Sequence, residues 1–172
     1  MERTLSFLDK ICLGFDQTLR TITNHPQTTG APYPAENAPH QDLSAEQRKH
    51  SASLMRINHA GEVCAQALYH GQSLVSKSRE VQDKLQHAAI EEGDHLAWCK
   101  ERLDELGSHP SYLNPLWYAG SFALGVLASY GGPAWNLGFM AETERQVEHH
   151  LEGHLQVLPA GDARSREIVQ KM

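Results

Sequence analysis

Acidic and basic side chains are absent from a long stretch of this 172-residue sequence, since no Asp, Glu, Lys or Arg lies between Leu106 and Ala141. The stretch is apolar but interrupted, because Gly120 and Gly125 fall inside its longest run and a glycine pair before Pro133 ends it. That run is shorter than the ~20 residues of a membrane-spanning helix, which excludes a spanning segment. Aromatic residues at both ends fit a helix lying in the membrane interface, while a buried bundle helix or an oligomer contact explains the composition equally well.

Cysteine is scarce, and no glycine-rich nucleotide motif occurs. The three cysteines, Cys12, Cys64 and Cys99, form no close pair, so neither a disulfide framework nor a thiolate zinc site is expected. The motif Gly-x-Gly-x-x-Gly is missing, so electrons for any redox chemistry must come from an external reductant or from the substrate. The sequence has 15 basic and 21 acidic residues and a net charge of -6, which argues against a nucleic-acid partner.

Strand-like alternation is also missing, and the apolar residues instead recur three or four apart, as on amphipathic helices. We predict an N-terminal amphipathic helix within residues 1–24, a proline-rich linker over 25–42 and a single helical domain over 43–172. Capping residues and prolines predict four helices in that domain: Ser44 to about Val75, Arg79 to Gly107, Pro133 to Pro159, and a last one capped by Asp162.

Two polar residues stand where the pattern predicts a buried face. Glu92 and His95 lie one turn apart in a stripe that is otherwise apolar, formed by Val81, Leu85, Ala88, Cys99 and Leu103. Burying an unpaired carboxylate costs several kcal/mol or raises its pKa, so this pair requires a compensating cation. A metal ion is the simplest such cation.

Two further glutamates repeat the anomaly on other helices. Glu144 lies in the middle of an apolar stripe, and Glu62 flanks the inward face of an earlier helix. Several carboxylates with one imidazole favour iron or manganese over a thiolate zinc site. A Glu on one helix and Glu-x-x-His on the next form half of a ferritin-like di-metal bundle. We therefore predict an all-α, ferritin-like bundle with Glu62, Glu92, His95 and Glu144 as metal ligands.

The spacing of these ligands also predicts a motif that the sequence does not contain. Glu92 follows Glu62 by 30 residues, so a Glu-x-x-His paired with Glu144 is expected near position 174 or somewhat beyond. Glu92 and His95 form the only Glu-x-x-His in the sequence. We therefore expect the last helix, opened by Asp162, to be truncated before its ligands.

Four polar residues near these ligands are candidates to support them through hydrogen bonds. Asn58 and Tyr69 share the face of Glu62, and simple packing is an equal alternative for both. Asp94 directly precedes His95 and is as well explained as a solvated residue. His150 lies roughly 120° around the helix from Glu144, which favours a structural or supporting role over a ligand role.

Several motifs in a fixed order resemble the demethoxyubiquinone hydroxylase family. They are Arg56-Ile57-Asn58-His59-Ala60-Gly61-Glu62, Glu91-Glu92-Gly93-Asp94-His95-Leu96, Pro115-Leu116-Trp117 with Phe122-Ala123-Leu124-Gly125, and Glu144 followed by His149-His150. The resemblance extends from about Leu54 to Met172. Glu-x-x-His alone is common, but the order and spacing of the motifs around an uncharged, Trp-containing segment are specific together.

The resemblance implies a di-iron monooxygenase of ubiquinone biosynthesis, which hydroxylates the ring of 5-demethoxyubiquinol with O2 and an external reductant. It implies that Glu62, Glu92, His95 and Glu144 ligate iron, two ions per intact subunit, with Glu92 or Glu144 bridging them. Its prenylated quinol substrate implies a peripheral protein on the cytoplasmic face of a bacterial inner membrane, or on the matrix face of the mitochondrial one. The expected protein partners are other copies of the chain or other ubiquinone-biosynthesis proteins.

Two other functions remain open. An iron-storage or peroxide-handling ferritin-like protein would share the ligands but would not explain the uncharged segment. A non-enzymatic helical scaffold at the membrane would explain that segment but not three helices with buried acids. Metal content separates the scaffold from the other two, and turnover of a prenylated quinol separates the hydroxylase from the storage protein.

Overall fold

The computed structural model describes residues 6–40 and 42–172, and every regular element within them is a helix. The helices are α1 (Phe7–Ile22), α2 (Ala45–Val75), α3 (Arg79–Glu105), α4 (Asn114–Ser129), α5 (Pro133–Val157) and α6 (Ala163–Lys171). The predicted all-α, ferritin-like fold is confirmed, since the described residues contain no strand and the long helices pack side by side.

Local sequence signals explain where the long helices begin and end. Ser44 Oγ accepts a hydrogen bond from Gln47 N, and Gln47 Oε1 accepts one from Ser44 N, so the predicted capping box is present. Helix α3 ends before Gly107, whose φ of +68 lies in the left-handed region that favours glycine. Pro133 opens α5 in its first turn, where a backbone N–H has no partner within the helix.

Helix α2 is the central helix, because it packs against α1, α3, α4 and α5. Helix α5 runs antiparallel to α2: the Tyr69 hydroxyl meets Glu144, while His50 Nε2 lies 3.0 Å from the Val157 carbonyl at the other end. Helix α6 follows α5 and packs against both α5 and α3. Helices α2, α3, α5 and α6 therefore form the bundle, and α1 and α4 lie against its outside.

The apolar core falls into two main clusters along the bundle, and the candidate ligands lie between them. One cluster includes Met55 of α2 and Ile168 of α6. The other includes Tyr69 of α2 and Leu85 of α3. Glu62 stands between Met55 and Tyr69 along α2, so its carboxylate occupies the middle of the bundle, where it is 3% exposed.

The segment between α1 and α2 packs over α3. Thr29 donates two hydrogen bonds to the buried Asp94 carboxylate, one from its backbone N at 3.2 Å and one from its hydroxyl. The Gln27 carbonyl lies so close to Gly93 that a Cβ added at Gly93 would stand 1.8 Å from the oxygen. Only glycine allows the chain to cross α3 at this turn, which carries the predicted ligands Glu92 and His95.

An ion-pair network holds α6 against α3, and three of its members, Arg102, Asp162 and Arg164, are buried. The Arg102 guanidinium lies 2.7 Å from Asp162 and 2.6 Å from Glu105, and Arg164 forms a second salt bridge with Glu105. Asp162 also caps α6, as predicted, by accepting from Ser165 N at 3.0 Å. Removing Arg102 would leave the buried Asp162 carboxylate without its ion-pair partner, so this pair fixes the position of α6 on α3.

Helix α4 carries most of the uncharged segment and lies across α2 with a glycine from each helix in the contact. A Cβ added at Gly125 would stand 2.2 Å from the Leu68 carbonyl oxygen, and one at Gly71 would stand 2.3 Å from the Phe122 carbonyl oxygen. The absence of side chains at these two positions lets the helix backbones approach directly. This close approach explains why a glycine stands at position 125 in the apolar run of α4.

The opposite side of α4 is exposed. Leu116, Leu124 and Leu127, which we call the α4 outer face, are 62%, 56% and 65% exposed. Helix α4 is therefore not a fully buried bundle helix, and the interfacial and oligomer interpretations remain. No helix among the described residues has both the length and the apolar character needed to cross a membrane.

We expect Gly125→Ala to destabilise the chain by about 1 to 3 kcal/mol, because the added methyl group collides with the backbone of α2. The matched control is Gly120→Ala on the same helix, where a Cβ meets nothing within 4 Å. That change should stabilise α4 by about 0.5 to 1 kcal/mol, because alanine is the better helix former. Urea unfolding of the three proteins measures both effects, and equal stability of the two variants would contradict the close contact.

Candidate metal centre

Three of the predicted ligands converge in the middle of the bundle. Glu62 on α2 and Glu92 and His95 on α3 each offer one ligand atom, and these atoms lie within 4.8 Å of one another. His95 Nδ1 lies 2.9 Å from a Glu92 oxygen and 3.9 Å from a Glu62 oxygen. The i, i+3 spacing places Glu92 and His95 on one face of α3, and the packing of α2 against that face brings Glu62 to them.

The surroundings of the two glutamates shift the pKa values of their carboxyl groups in opposite directions. Burial and the neighbouring carboxylates of Glu92 and Glu144 raise the pKa of Glu62 well above its usual value. Burial also raises the pKa of Glu92, but hydrogen bonds with Glu62 and His95 outweigh that effect and leave it lowered. The two side chains therefore share a proton, which resides mainly on Glu62. A bound cation would take the place of that proton.

Glu144 of α5 faces the same interior but stands outside the group of three ligand atoms. Its Oε1 accepts a hydrogen bond from the Tyr69 hydroxyl of α2. Burial raises the pKa of Glu144, while the hydrogen bond from Tyr69 acts in the opposite direction. The structure thus brings three of the four predicted ligands together, and Tyr69 holds the fourth on the neighbouring side of the bundle.

The other supporting candidates take three different positions. Asp94 is only 5% exposed, so the solvated alternative is wrong; its carboxylate meets Thr29 on the outer side of α3 rather than His95. His150 is exposed, and its ring centroid lies 4.1 Å from that of His154. Asn58 is buried one turn before Glu62.

An apolar groove with a volume of about 620 Å³ reaches Glu62 from the surface. It runs between α2 and α5, and Trp117 of α4 contributes to its side. Its larger apolar lining residues are Ile57, Leu68, Trp117, Phe139, Val147 and Leu151. Its polar lining residues are Asn58, Glu62, Thr143, Gln146 and His150. The groove therefore offers a largely apolar route, with Trp117 and Phe139 on its walls, from the exterior to a candidate ligand.

Two sets of hydrogen bonds that hold α3, the helix of Glu92 and His95, are not predicted by the sequence analysis. One is the pair of hydrogen bonds from Thr29 to Asp94. The other is Gln66, which accepts from Thr21 Oγ1 at 2.6 Å and donates to the Ala89 carbonyl of α3 at 3.2 Å. These partners are 65 and 45 residues apart along the chain, so no local spacing reveals them. The sequence does give one sign of Gln66, because a polar side chain stands there one turn after Glu62.

The donor atoms suit iron or manganese better than zinc held by thiolates. Carboxylate oxygens and one imidazole nitrogen are the groups present, and the nearest cysteine along α3, Cys99, is buried. Burial raises the pKa of the Cys99 thiol well above its usual value, which keeps the sulfur protonated. The residues therefore fit an oxygen-rich metal centre in which Glu62, Glu92 and His95 would hold the ion.

A family of known proteins shares this sequence pattern. The family described as ubiquinone biosynthesis protein COQ7 matches residues 49–172, from the first turns of α2 to the C-terminal end of α6. No solved structure shows significant similarity to the chain.

Relatives with a curated name are similar over nearly the whole chain. One from Bordetella petrii is 59% identical over 166 residues, which cover 96% of this chain and 73% of the relative. Others from Nitrosomonas eutropha and Polynucleobacter asymbioticus are 56% and 52% identical over 165 and 168 residues, covering 96% and 98% of this chain and 79% and 80% of the relatives. All three carry the name 3-demethoxyubiquinol 3-hydroxylase.

We expect Glu92→Ala and His95→Ala each to weaken iron binding by more than the 10- to 100-fold that is typical, roughly, of losing a residue that only orients a ligand. Helix α3 should survive both changes, because alanine is the best helix former. Anaerobic titration with ferrous iron measures the affinity, and circular dichroism measures the helix content. His87→Ala is the matched control, since this histidine of α3 has a side chain 73% exposed. Unchanged iron affinity in the two variants would mean that Glu92 and His95 are structural.

Proposed function

The chain belongs to the COQ7 family of ubiquinone biosynthesis proteins, and we propose that it is a 3-demethoxyubiquinol 3-hydroxylase with an iron centre. The observation that carries this proposal is the convergence of Glu62, Glu92 and His95 in the middle of the bundle. Metal-binding residues at this place explain why two glutamates are buried among apolar side chains. The names of the relatives supply the substrate class and the reaction.

The chain's own residues would hold the metal and shield it. We propose Glu62, Glu92 and His95 as iron ligands, with Glu144 as a fourth that Tyr69 orients. Bound iron would supply the activation of dioxygen, which organic side chains do not provide. The two apolar clusters on either side of the acids exclude water from the reacting groups.

The reaction replaces a ring C–H bond of the quinol by C–OH. One oxygen atom of O2 enters the ring and the other leaves as water, which consumes two electrons and two protons. We propose that an external reductant supplies the electrons, because the sequence has no dinucleotide-binding motif.

The groove between α2 and α5 is the proposed route of the quinol ring. It touches Glu62 directly, and its walls include Trp117 and Phe139, which suit a flat aromatic head group. Ring carbons in this groove would lie beside a metal ligand. The isoprenoid tail would extend towards the surface near Trp117.

We propose that the α4 outer face holds the protein on a membrane, from which a prenylated quinol can enter the groove. Its three leucines are exposed, and α1, which packs against α4, adds Phe15 at 65% exposure. Three free cysteines fit a reducing compartment, so we assign the cytoplasmic face of a bacterial inner membrane. Burial of apolar side chains in the interfacial plane would supply the binding energy.

The proposed activity predicts that iron-loaded protein, given O2 and a reductant, converts a short-chain demethoxyubiquinol into its hydroxylated product. Mass spectrometry should show one oxygen atom gained by the ring, and 18O2 should supply that atom. The His95→Ala protein should lose the activity, while His87→Ala should keep it. Wild-type protein that binds iron and consumes peroxide without altering the quinol would instead be a ferritin-like storage or peroxide-handling protein.

Replacing Leu124 or Leu127 by Glu should weaken binding to anionic phospholipid vesicles about tenfold, because a charge is costly in the interfacial plane. Turnover of a long-tailed quinol in vesicles should fall with it, while turnover of a soluble short-tailed analogue should change less. Gln156→Glu adds the same charge at an exposed position of α5 and serves as the control. If the leucine variants stay on vesicles but change the oligomeric state, the α4 outer face is a contact between subunits.

A further inference from the structure

Three basic side chains line a pocket beside the N-terminal half of α2. The pocket has a volume of about 560 Å³ and lies between the first three turns of α2 and the residues that follow α3. Arg48, Lys49 and Arg56 contribute its positive charges, and none of its lining residues is acidic. The whole chain has a net charge of -6, so this pocket has the opposite sign to the rest of the protein. It is therefore a local site for an anion.

Two of these cations are free to meet a ligand. Within the part of the chain that the structure describes, the side chains of Arg48 and Lys49 have no hydrogen-bond or ion-pair partner, and both residues are exposed. Arg56 differs, because its Nε donates to the His109 carbonyl at 2.8 Å and its Nη2 to Ser108 Oγ at 2.6 Å. Arg56 thus holds the loop that lines the pocket, while Arg48 and Lys49 supply its uncompensated charge.

Acidic side chains approach these cations from one side only. Asp42 and Glu105 line a second, smaller depression of about 170 Å³, and Arg48 stands between the two. The Glu105 carboxylate already has partners, because Arg102 and Arg164 form salt bridges with it. Lys49 lines only the cationic pocket.

The pocket lies on the side of α2 that carries α4. Asn114, the first residue of α4, has its Nδ2 3.3 Å from His59 Nδ1, and Gly125 contacts the α2 backbone farther along. Helix α4 therefore runs alongside the second half of α2. Ala52 and Arg48 precede His59 by 7 and 11 residues, which at about 100° per residue places both within about 20° of its direction. The pocket is the uncovered continuation of the surface on which α4 lies.

This position sets the height of the pocket above a membrane that holds the α4 outer face. An interfacial helix buries its apolar face about 5 to 10 Å into the boundary between head groups and acyl chains. Packed helices lie about 8 to 10 Å apart, so the surface of α2 beside α4 would stand at the level of the lipid phosphates. Tyr112 and Leu113, which join the pocket to α4, are 83% and 54% exposed and continue the apolar surface towards it.

We propose that the pocket lined by Arg48, Lys49 and Arg56 binds the phosphate group of an anionic phospholipid while the α4 outer face enters the same membrane. This inference rests on the proposed membrane attachment and names the lipid chemistry that it uses. Arginine and lysine are the side chains that bind phosphate groups. Their contact with the lipid would offset the repulsion between a chain of net charge -6 and a negatively charged bilayer.

The test compares binding to vesicles of phosphatidylcholine alone with binding to vesicles that also contain phosphatidylglycerol. The double variant Arg48→Gln with Lys49→Gln should bind the phosphatidylglycerol vesicles about 25-fold more weakly than wild type, since each Lys or Arg near an anionic surface contributes about fivefold. Lys49→Gln alone should weaken this binding about fivefold. Binding to phosphatidylcholine vesicles should not change, because the α4 outer face is intact. Arg56 is left unaltered because it holds the loop.

Lys84→Gln with Lys171→Gln is the matched control. It removes two positive charges from exposed positions of α3 and α6 that do not line the pocket, so both double variants change the net charge from -6 to -8. The control should weaken binding to phosphatidylglycerol vesicles by less than about threefold, because charges farther than a Debye length from the lipid are screened.

Three outcomes would overturn the inference: equal weakening by the two double variants, unchanged affinity of the pocket variants for phosphatidylglycerol vesicles, or equal weakening on both kinds of vesicle. Glycerol phosphate, titrated without vesicles, identifies a soluble source of the same group. If the pocket variants lose binding of glycerol phosphate and keep wild-type binding to vesicles, the pocket serves a soluble phosphate compound and the lipid is excluded.

Failure of this inference is distinct from failure of the proposed function. Wild-type protein that binds both kinds of vesicle equally would keep the membrane attachment and lose the phosphate site. Turnover of a soluble short-tailed quinol needs no vesicle, so it tests the hydroxylase separately and should be the same in wild type and in the pocket variants.

Discussion

The contact between the buried carboxyl groups of Glu62 and Glu92 is the constraint on which the rest of this bundle depends. Two acids at this distance in an apolar interior must share a proton or a cation, because the energy of two bare charges there is prohibitive. Neither acid helps the bundle to fold by itself. Other contacts must therefore hold together the helices that carry these acids. The apolar clusters on both sides of the acids, the glycine contacts and the hydrogen bonds from Thr29 are such contacts.

Helix α2 meets that requirement by presenting a different chemistry to each neighbour. Towards α3 and α5 it offers Glu62 and Tyr69, towards α4 it offers the bare backbone at Gly71, and towards α1 it offers Gln66. A straight helix can do this because successive residues turn by about 100°. As a result, α2 should be sensitive to substitution, since few positions in its middle turns are exposed to solvent.

Sequence patterns predict the parts of this structure that are decided within one or two turns. The capping box at Ser44, the glycine after α3 and the inward faces of Glu62, Glu92 and His95 depend on local spacing, and these were predictable. Asp94 is different, because a charge beside a buried stripe fits solvent or ligand support equally well. Its partner, Thr29, lies 65 residues earlier, and only the packing of the N-terminal segment brings the two together. The contact of Glu144 with Tyr69 likewise depends on how α5 is rotated against α2.

The segment between α1 and α2 crosses over Gly93, and this crossing bears on how much of the chain is needed to enclose the candidate metal centre. The match to the family begins at residue 49, already inside α2, although the named relatives are similar over nearly the whole chain. Thr29, which lies before that match, donates to a carboxylate that stands between Glu92 and His95 along α3. A fragment that begins at residue 49 would leave Asp94 without these donors and would expose the face of α3 that carries Gly93 and Asp94. The smallest piece of the chain that can enclose the candidate ligands therefore includes the segment around Gln27 and Thr29, which contributes no candidate ligand itself.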